Sequence, residues 1–136
     1  MEADGAAVVY VSDTAPFDKI LFEHKFFPTQ PAPPSRQEAA YLALLRSGVI
    51  ELCAGADLVV YDTMCSPEEY EARPHWGHST AEHALELCQE AGAATLALFH
   101  YSPTATDDDL DRKVAGLIPG APVKVVASRE GDAITL

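Results

Sequence analysis

The sequence is poor in positive charge. Nine lysines and arginines stand against twenty-one aspartates and glutamates, which gives a formal net charge of −12. This balance is typical of an acidic, solvated surface, and it disfavours unaided binding to nucleic acid, because phosphate contacts need clustered Lys or Arg. Metal ions can reverse charge locally, so a nucleotide held through metals stays compatible with the composition. We therefore expect no strong nucleic-acid binding.

Cysteine is scarce as well. Cys53, Cys65 and Cys88 are odd in number and show neither CxxC pairing nor zinc-finger spacing. Cys53 and Cys88 lie in apolar helical patterns and are predicted to be buried free thiols, which fits a reducing cytoplasm. The apolar runs are too short to cross a bilayer, and the first residues lack the basic and apolar regions of a signal peptide. We expect no membrane partner.

What the chain does have is the composition of one globular domain. Its 136 residues are 48% hydrophobic, which is enough to bury a core without disulfides. The proline-rich stretch TQPAPPS at 29–35 excludes regular helix there. We interpret it as an extended connection rather than a domain boundary. The aromatic run at 17–27 before it is either a packed loop or a flap over a site.

Short apolar runs and helix signals alternate along the rest of the chain. Strands are predicted at 6–11, 57–61, 94–99 and 123–127, and a turn at Glu130-Gly131-Asp132 predicts a last strand at 133–136. Helices are predicted from Ser35 to about Ala54, from Ser66 as a short turn, from a capping box at Ser79-Thr80-Ala81-Glu82 to about Ala91, and over 107–117. This alternation predicts an α/β fold with a partly parallel sheet.

Three of these strands end in a residue that can bind metal or move protons: Asp13, Asp62 and His100. His78 stands just before a predicted helix. The carboxyl ends of parallel strands share one edge of a sheet, so these side chains are expected to converge. Carboxylates and imidazoles are ligands for zinc, manganese or iron, and a metal-bound water is a nucleophile near neutral pH. Each residue also has a plainer interpretation, as a cap, a turn former or a hydrogen-bonded strand end.

The remaining histidines have weaker signals. His75, His78 and His83 form a local cluster that could make an independent metal site, but it lacks the on-helix spacing of a metalloprotease motif. His83 is expected to be exposed or capping, and His24 and Trp76 to be packing or flap residues.

Three segments carry a family resemblance: VVYVSDTAP, ADLVVYDTM and WGHSTAEHALELCQEAGAATLALFHYSP. In this order and spacing they resemble the second half of the metallo-β-lactamase superfamily. The matching branch contains the tRNA 3′-processing endonuclease RNase Z and related phosphodiesterase-like hydrolases. The resemblance implies half of an αββα sandwich, with a mixed sheet and helices packed on one face.

The resemblance also implies roles for the four residues. Asp13 matches the aspartate that bridges two divalent metal ions, zinc most often, and His100 matches a metal ligand. His78 matches the histidine of an HST motif that acts near the scissile phosphate, and Asp62 takes the place of the carboxylate that orients it. The family usually has Glu in an H-E-A-T context there, so Tyr61-Asp62-Thr63 departs from its pattern. The departure favours a relative acting on another phosphoester, so we expect a small-molecule or nucleotide-type ester substrate.

The family's principal signature, H-x-H-x-D-H, is absent from the 136 residues. We therefore expect a partial domain over 1–136 that lacks the first half, binds metal weakly or not at all, and turns over little substrate. The alternative is a non-catalytic half-domain acting in association, or a gene remnant. A fragment of a longer product, a misannotated start and a half-domain that pairs with another copy or with the missing half all remain open.

Overall fold

A computed structural model of the chain describes residues 2–3, 5–19, 33–117 and 122–136. Most of the aromatic run at 17–27, together with His24 and the start of the proline-rich stretch, lies outside these ranges.

The described strands form one mixed sheet in the order of the sequence. They are β1 (Glu2–Ala3), β2 (Ala6–Val11), β3 (Leu58–Asp62), β4 (Thr95–Phe99) and β5 (Lys124–Ala127). Strands β2 to β5 run parallel, and β1 pairs antiparallel with β2. The register places Val9 beside Val59 and Val59 beside Leu96. The carboxyl ends of β2, β3 and β4 therefore meet at one edge.

Helices connect these parallel strands. They are α1 (Arg36–Cys53), α2 (Pro67–Ala72), α3 (Ala81–Ala91) and α4 (Asp107–Leu117), with a 3-10 turn at Pro74–Trp76. Their first turns are fixed by local chemistry: Ser35 with Glu38, and Ser66 with Glu69, form reciprocal capping boxes. The α/β class and the bounds of α4 agree with the sequence prediction.

One face of the sheet is covered by helices. Alternate strand residues on that face pack against α1 and α3, with partly buried side chains of α4 beside them, and the fully buried ones are Val59, Tyr61, Leu96 and Leu98. On the other face Tyr10 and Phe99 are 57% and 37% exposed, and their rings meet edge to face with centroids 5.5 Å apart. The second face is therefore not uniformly exposed: Tyr10 and Phe99 are accessible on it, whereas Leu58 and Ala97 are buried.

Two local predictions were wrong. Residues 133–136 form no strand, and Asp132 N–H instead closes a turn onto the Arg129 carbonyl at 3.1 Å. A strand needs a partner's hydrogen bonds, which a short alternating pattern does not guarantee. The cap of α3 is Thr80, whose hydroxyl accepts from His83 N–H, and not Ser79.

Cys53 and Cys88 are buried and free, as predicted, and Cys65 is buried and free as well. Among the described residues, no helix is both long and apolar enough to cross a membrane.

Candidate metal centre

The four residues singled out from the sequence lie together at the carboxyl edge of the sheet. Asp13, Asp62, His78 and His100 each offer one ligand atom, and these atoms all lie within 4.8 Å of one another. Three of them follow neighbouring parallel strands, and His78 reaches the same place from the segment before α3. The convergence expected from strand order is therefore present, while the roles of the four residues stay predictions.

Asp62 is the buried anchor of this group, with no exposed surface. Its Oδ1 accepts from Met64 N–H at 3.1 Å, and its Oδ2 lies 2.8 Å from His78 Nδ1. A buried carboxylate accepts but does not donate, so this contact favours the tautomer of His78 with the proton on Nδ1. The Nε2 lone pair of His78 is then available.

Asp13 and His100 share an unusual backbone. Their φ angles are +50° and +58°, and they are the non-glycine residues with positive φ in the described part of the chain. This left-handed conformation costs energy for residues with a Cβ and often marks functional sites. Both residues stand just beyond the ends of β2 and β4, where their side chains enter the group.

His100 has an unfulfilled bonding atom. Its Nδ1 is buried and makes no hydrogen bond, although it lies 3.5 Å from Asp62 Oδ2 and 3.9 Å from Asp13 Oδ1. The rings of His78 and His100 approach edge to face, with centroids 4.6 Å apart. An orphaned imidazole nitrogen between two carboxylates is an arrangement that a divalent cation would satisfy.

The spacing also fits an ion. Two ligand atoms of one zinc ion lie at most about 4.4 Å apart, which is twice the usual bond length. The observed 4.8 Å spread needs only small rotamer changes. The Asp13 side chain is 71% exposed and accepts a hydrogen bond from the neighbouring Ser12 Oγ at 2.7 Å. It therefore has room to change rotamer. These residues therefore fit a divalent metal.

A second set of contacts holds the ends of β3 and β4, and it includes a lysine that was not predicted from the sequence. Lys113 on α4 donates from Nζ to the Thr63 carbonyl at 2.8 Å, and burial lowers the pKa of this amine. Thr63 in turn donates from N–H to the Phe99 carbonyl at 2.8 Å. A lysine on a helix gives no sequence signal that separates this role from a solvated face.

His83 is not part of the centre. Its ring is partly buried between Phe17 and Tyr61, with centroids 6.1 and 6.4 Å away, so the expectation of an exposed residue was wrong. Burial, and then the charge of Arg46, lowers the pKa of this imidazole. Within the described ranges, His75 and His83 join no group that could hold a metal.

No protein-family model matches the chain. Several curated relatives do, and they are ribonucleases. Ribonuclease Z of Brevibacillus brevis is 31% identical over 112 residues, which is 82% of this chain and 30% of the relative. Ribonuclease Z of Haloarcula marismortui is 35% identical over 85 residues, 61% of this chain and 26% of that protein. The chain thus spans about a third or less of the length of these relatives.

A solved structure supports the fold. The metallo-β-lactamase fold protein YhfI of Bacillus subtilis aligns with a TM-score of 0.50 and 21% identity, over 62% of this chain and 33% of that one. This likeness concerns the fold alone.

The relatives overturn one expectation. A small-molecule or nucleotide-type ester substrate without strong nucleic-acid binding conflicts with relatives that are named ribonucleases. The physical reason is that net charge averages over a whole surface, whereas phosphate recognition depends on local cations, including bound metals. The strand order, the grouped Asp and His side chains and the shared sequence together identify this chain as an RNase Z-like member of the metallo-β-lactamase superfamily, a hydrolase family.

Proposed function

We propose that this chain forms part of a metal-dependent ribonuclease site that hydrolyses a phosphodiester bond in RNA. The observation that carries the proposal is the group of Asp13, Asp62, His78 and His100 within 4.8 Å, at a sheet edge of a chain whose curated relatives are ribonucleases.

Asp13 and His100 would hold the metal. Zinc suits their carboxylate and imidazole donors, and manganese or iron would also fit. A bound ion supplies Lewis-acid chemistry, activating water and polarising a phosphoryl oxygen. The chain's own contribution is to place the orphaned Nδ1 of His100 3.9 Å from the exposed carboxylate of Asp13 and 3.5 Å from Asp62 Oδ2.

His78 and Asp62 would handle the proton. Asp62 holds His78 through Nδ1 at 2.8 Å, so Nε2 is the atom that takes up a proton and, in the positively charged ring, donates it to the leaving oxygen. The buried carboxylate stabilises the ring when it carries a positive charge and keeps it in one orientation. This division of labour gives each of the four side chains one task.

We further propose that residues 1–136 act as one partial domain that packs against a second sheet through the sheet face bearing Tyr10 and Phe99. The exposed Tyr10 and Phe99 support this, because large aromatic side chains in contact with each other on a sheet face are suited to a packed interface. The sequence contains no H-x-H-x-D-H motif, and catalytic zinc normally has three protein ligands. We therefore expect weak metal binding and little turnover from this chain alone. The buried thiols support a reducing, cytoplasmic compartment.

Calorimetric titration with Zn²⁺ and Mn²⁺ tests the metal site. We expect measurable binding by the parent chain and at least about tenfold weaker binding by Asp13→Asn and by His100→Ala. Asp111→Asn is the control, because it removes one acidic charge from an exposed position that pairs with Arg129. A parent chain that binds neither ion, or variants that bind as the parent does, would contradict the proposal and favour a non-catalytic half-domain.

RNA hydrolysis tests the chemistry separately. Incubation of a labelled RNA with the chain and metal should give slow, metal-dependent cleavage that His78→Ala reduces while metal binding persists. Cleavage unaffected by both His78→Ala and chelator would point to a contaminating nuclease and refute the assignment.

A further inference from the structure

The chain has one tryptophan, and it is exposed. Trp76 has 46% of its surface accessible, at the end of the 3-10 turn Pro74–Trp76. It is not among the side chains that form or line the hydrophobic core of the described residues. Tryptophan is usually well buried, so an exposed indole outside the core calls for another explanation.

The indole is paired with a cation. The guanidinium carbon of Arg73 lies 4.6 Å from the centroid of the Trp76 ring. Arg73 is exposed, on a chain whose net charge is −12. Together the two side chains offer a flat apolar surface and a positive charge.

This pair is close to the candidate metal centre along the chain and is held in place. Trp76 is two residues before His78, so their Cα atoms are at most about 7.6 Å apart. Trp76 N–H donates to the Arg73 carbonyl at 3.0 Å, Gly77 N–H to the Pro74 carbonyl at 3.3 Å, and Gly77 adopts a φ of +78°. Pro74 is buried. The turn is therefore fixed before any ligand arrives, and ordering it costs little on binding.

We propose that Arg73 and Trp76 form a stacking platform for an unpaired RNA base that flanks the scissile phosphodiester. Single-stranded RNA is recognised by aromatic and arginine planes that stack on bases, combined with positive charge near the backbone. The inference rests on the proposed ribonuclease function and adds to it the residues that hold the base. The platform also explains how an acidic chain can bind RNA, a polyanion. The contact relies on stacking at one place and not on a basic surface.

Because Trp76 is the sole tryptophan, its fluorescence reports on this platform directly. A short single-stranded RNA with a fluorescein label follows binding by anisotropy, and the same unlabelled RNA follows quenching of Trp76, both with Mn²⁺ present. We expect quenching to track binding, and an abasic oligonucleotide of the same length to leave the emission unchanged.

Matched variants separate stacking from charge. Trp76→Ala should weaken RNA binding by about 5- to 100-fold, and Trp76→Phe should recover part of it. Arg73→Gln should weaken binding more than Arg36→Gln, which removes the same charge from the start of α1. Tyr41→Ala removes an aromatic ring of similar exposure, 54%, from α1 and should have no effect.

Binding of RNA without quenching, or equal affinity of Trp76→Ala and Tyr41→Ala, would overturn the platform. So would failure of the RNA to bind at all. Failure of the proposed ribonuclease function is detected independently, because calorimetric metal binding and its dependence on Asp13 do not involve Trp76.

Discussion

Replacing Asp62 by asparagine tests the part of the centre that the structure describes in most detail. The side chains are nearly the same size, so the change removes a charge and puts an amide in the place of a carboxylate. Oδ1 can still accept from Met64 N–H. The second position, which faces His78 Nδ1 at 2.8 Å, is then occupied by the NH₂ group of the amide, which donates and does not accept.

The consequence for His78 is a change of tautomer. If the amide NH₂ faces Nδ1, that nitrogen must accept and the proton moves to Nε2, the atom assigned to the reaction. Loss of a carboxylate behind a histidine typically costs 10–100-fold in activity, which is about 1.4–2.7 kcal/mol. Native stability should fall by about 1–2 kcal/mol, because a charge-assisted hydrogen bond becomes a neutral one.

Three measurements check this prediction. Activity comes from cleavage of labelled RNA in the presence of metal, the tautomer from long-range proton–nitrogen NMR correlations of the His78 ring, and stability from urea denaturation. Asp111→Asn, which changes an exposed carboxylate at the surface, controls for the change in net charge. An Asp62→Asn protein with the parental cleavage rate and an unchanged His78 tautomer would refute the assigned role of the carboxylate.

The remaining predictions concern single side chains. His100→Ala and His100→Gly both delete the imidazole, but only the alanine variant has a Cβ that strains the φ of +58°. In urea denaturation the alanine variant should therefore be less stable than the glycine variant by about 0.5–1 kcal/mol. A more stable alanine variant would show that the backbone is relaxed. The lowered pKa of His83, caused by burial and then by Arg46, means that the unfolded chain takes up a proton first. Stability should therefore be complete above about pH 6.5 and fall as the pH drops, and His83→Phe should flatten that slope in urea titrations between about pH 7 and pH 5; parallel profiles would count against a buried neutral imidazole. Burial raises the pKa of Cys53 to about 11 and of Cys88 to about 12, so at about pH 8 a disulfide reagent should label them only as fast as the protein unfolds, and rapid labelling of the native chain would contradict their burial.

Much of the fold could be predicted because its signals are local. Strand β2 and helix α4 have the bounds that the apolar run and the acidic first turn indicate. The cap of α3 was misplaced by one residue, since Ser79 and Thr80 are both good caps and only the backbone angles choose between them. The tail at 133–136 failed because pairing depends on a partner, which a local pattern does not contain.

The candidate site followed from one rule about parallel sheets, that the carboxyl ends of neighbouring strands share an edge. That rule and the family resemblance selected Asp13, Asp62, His78 and His100, and the structure groups them. Lys113 and Trp76 could not be found in this way, because a contact to a carbonyl fifty residues away and the exposure of an indole are properties of the folded chain. The expectation of no strong nucleic-acid binding was wrong, since total charge says little about a local contact.

The order of the strands along the sheet has a consequence for how this chemistry can change. Adjacent strands are about 4.8 Å apart whatever side chains they carry. The ends of β2, β3 and β4 therefore hold the three ligand positions at a constant spacing. Substituting the ligating side chains at this edge of the sheet would leave the spacing unchanged. Only the type of donor atom and the length of each side chain would need to be chosen. New metal preferences are thus reachable by point substitution, without rebuilding the scaffold.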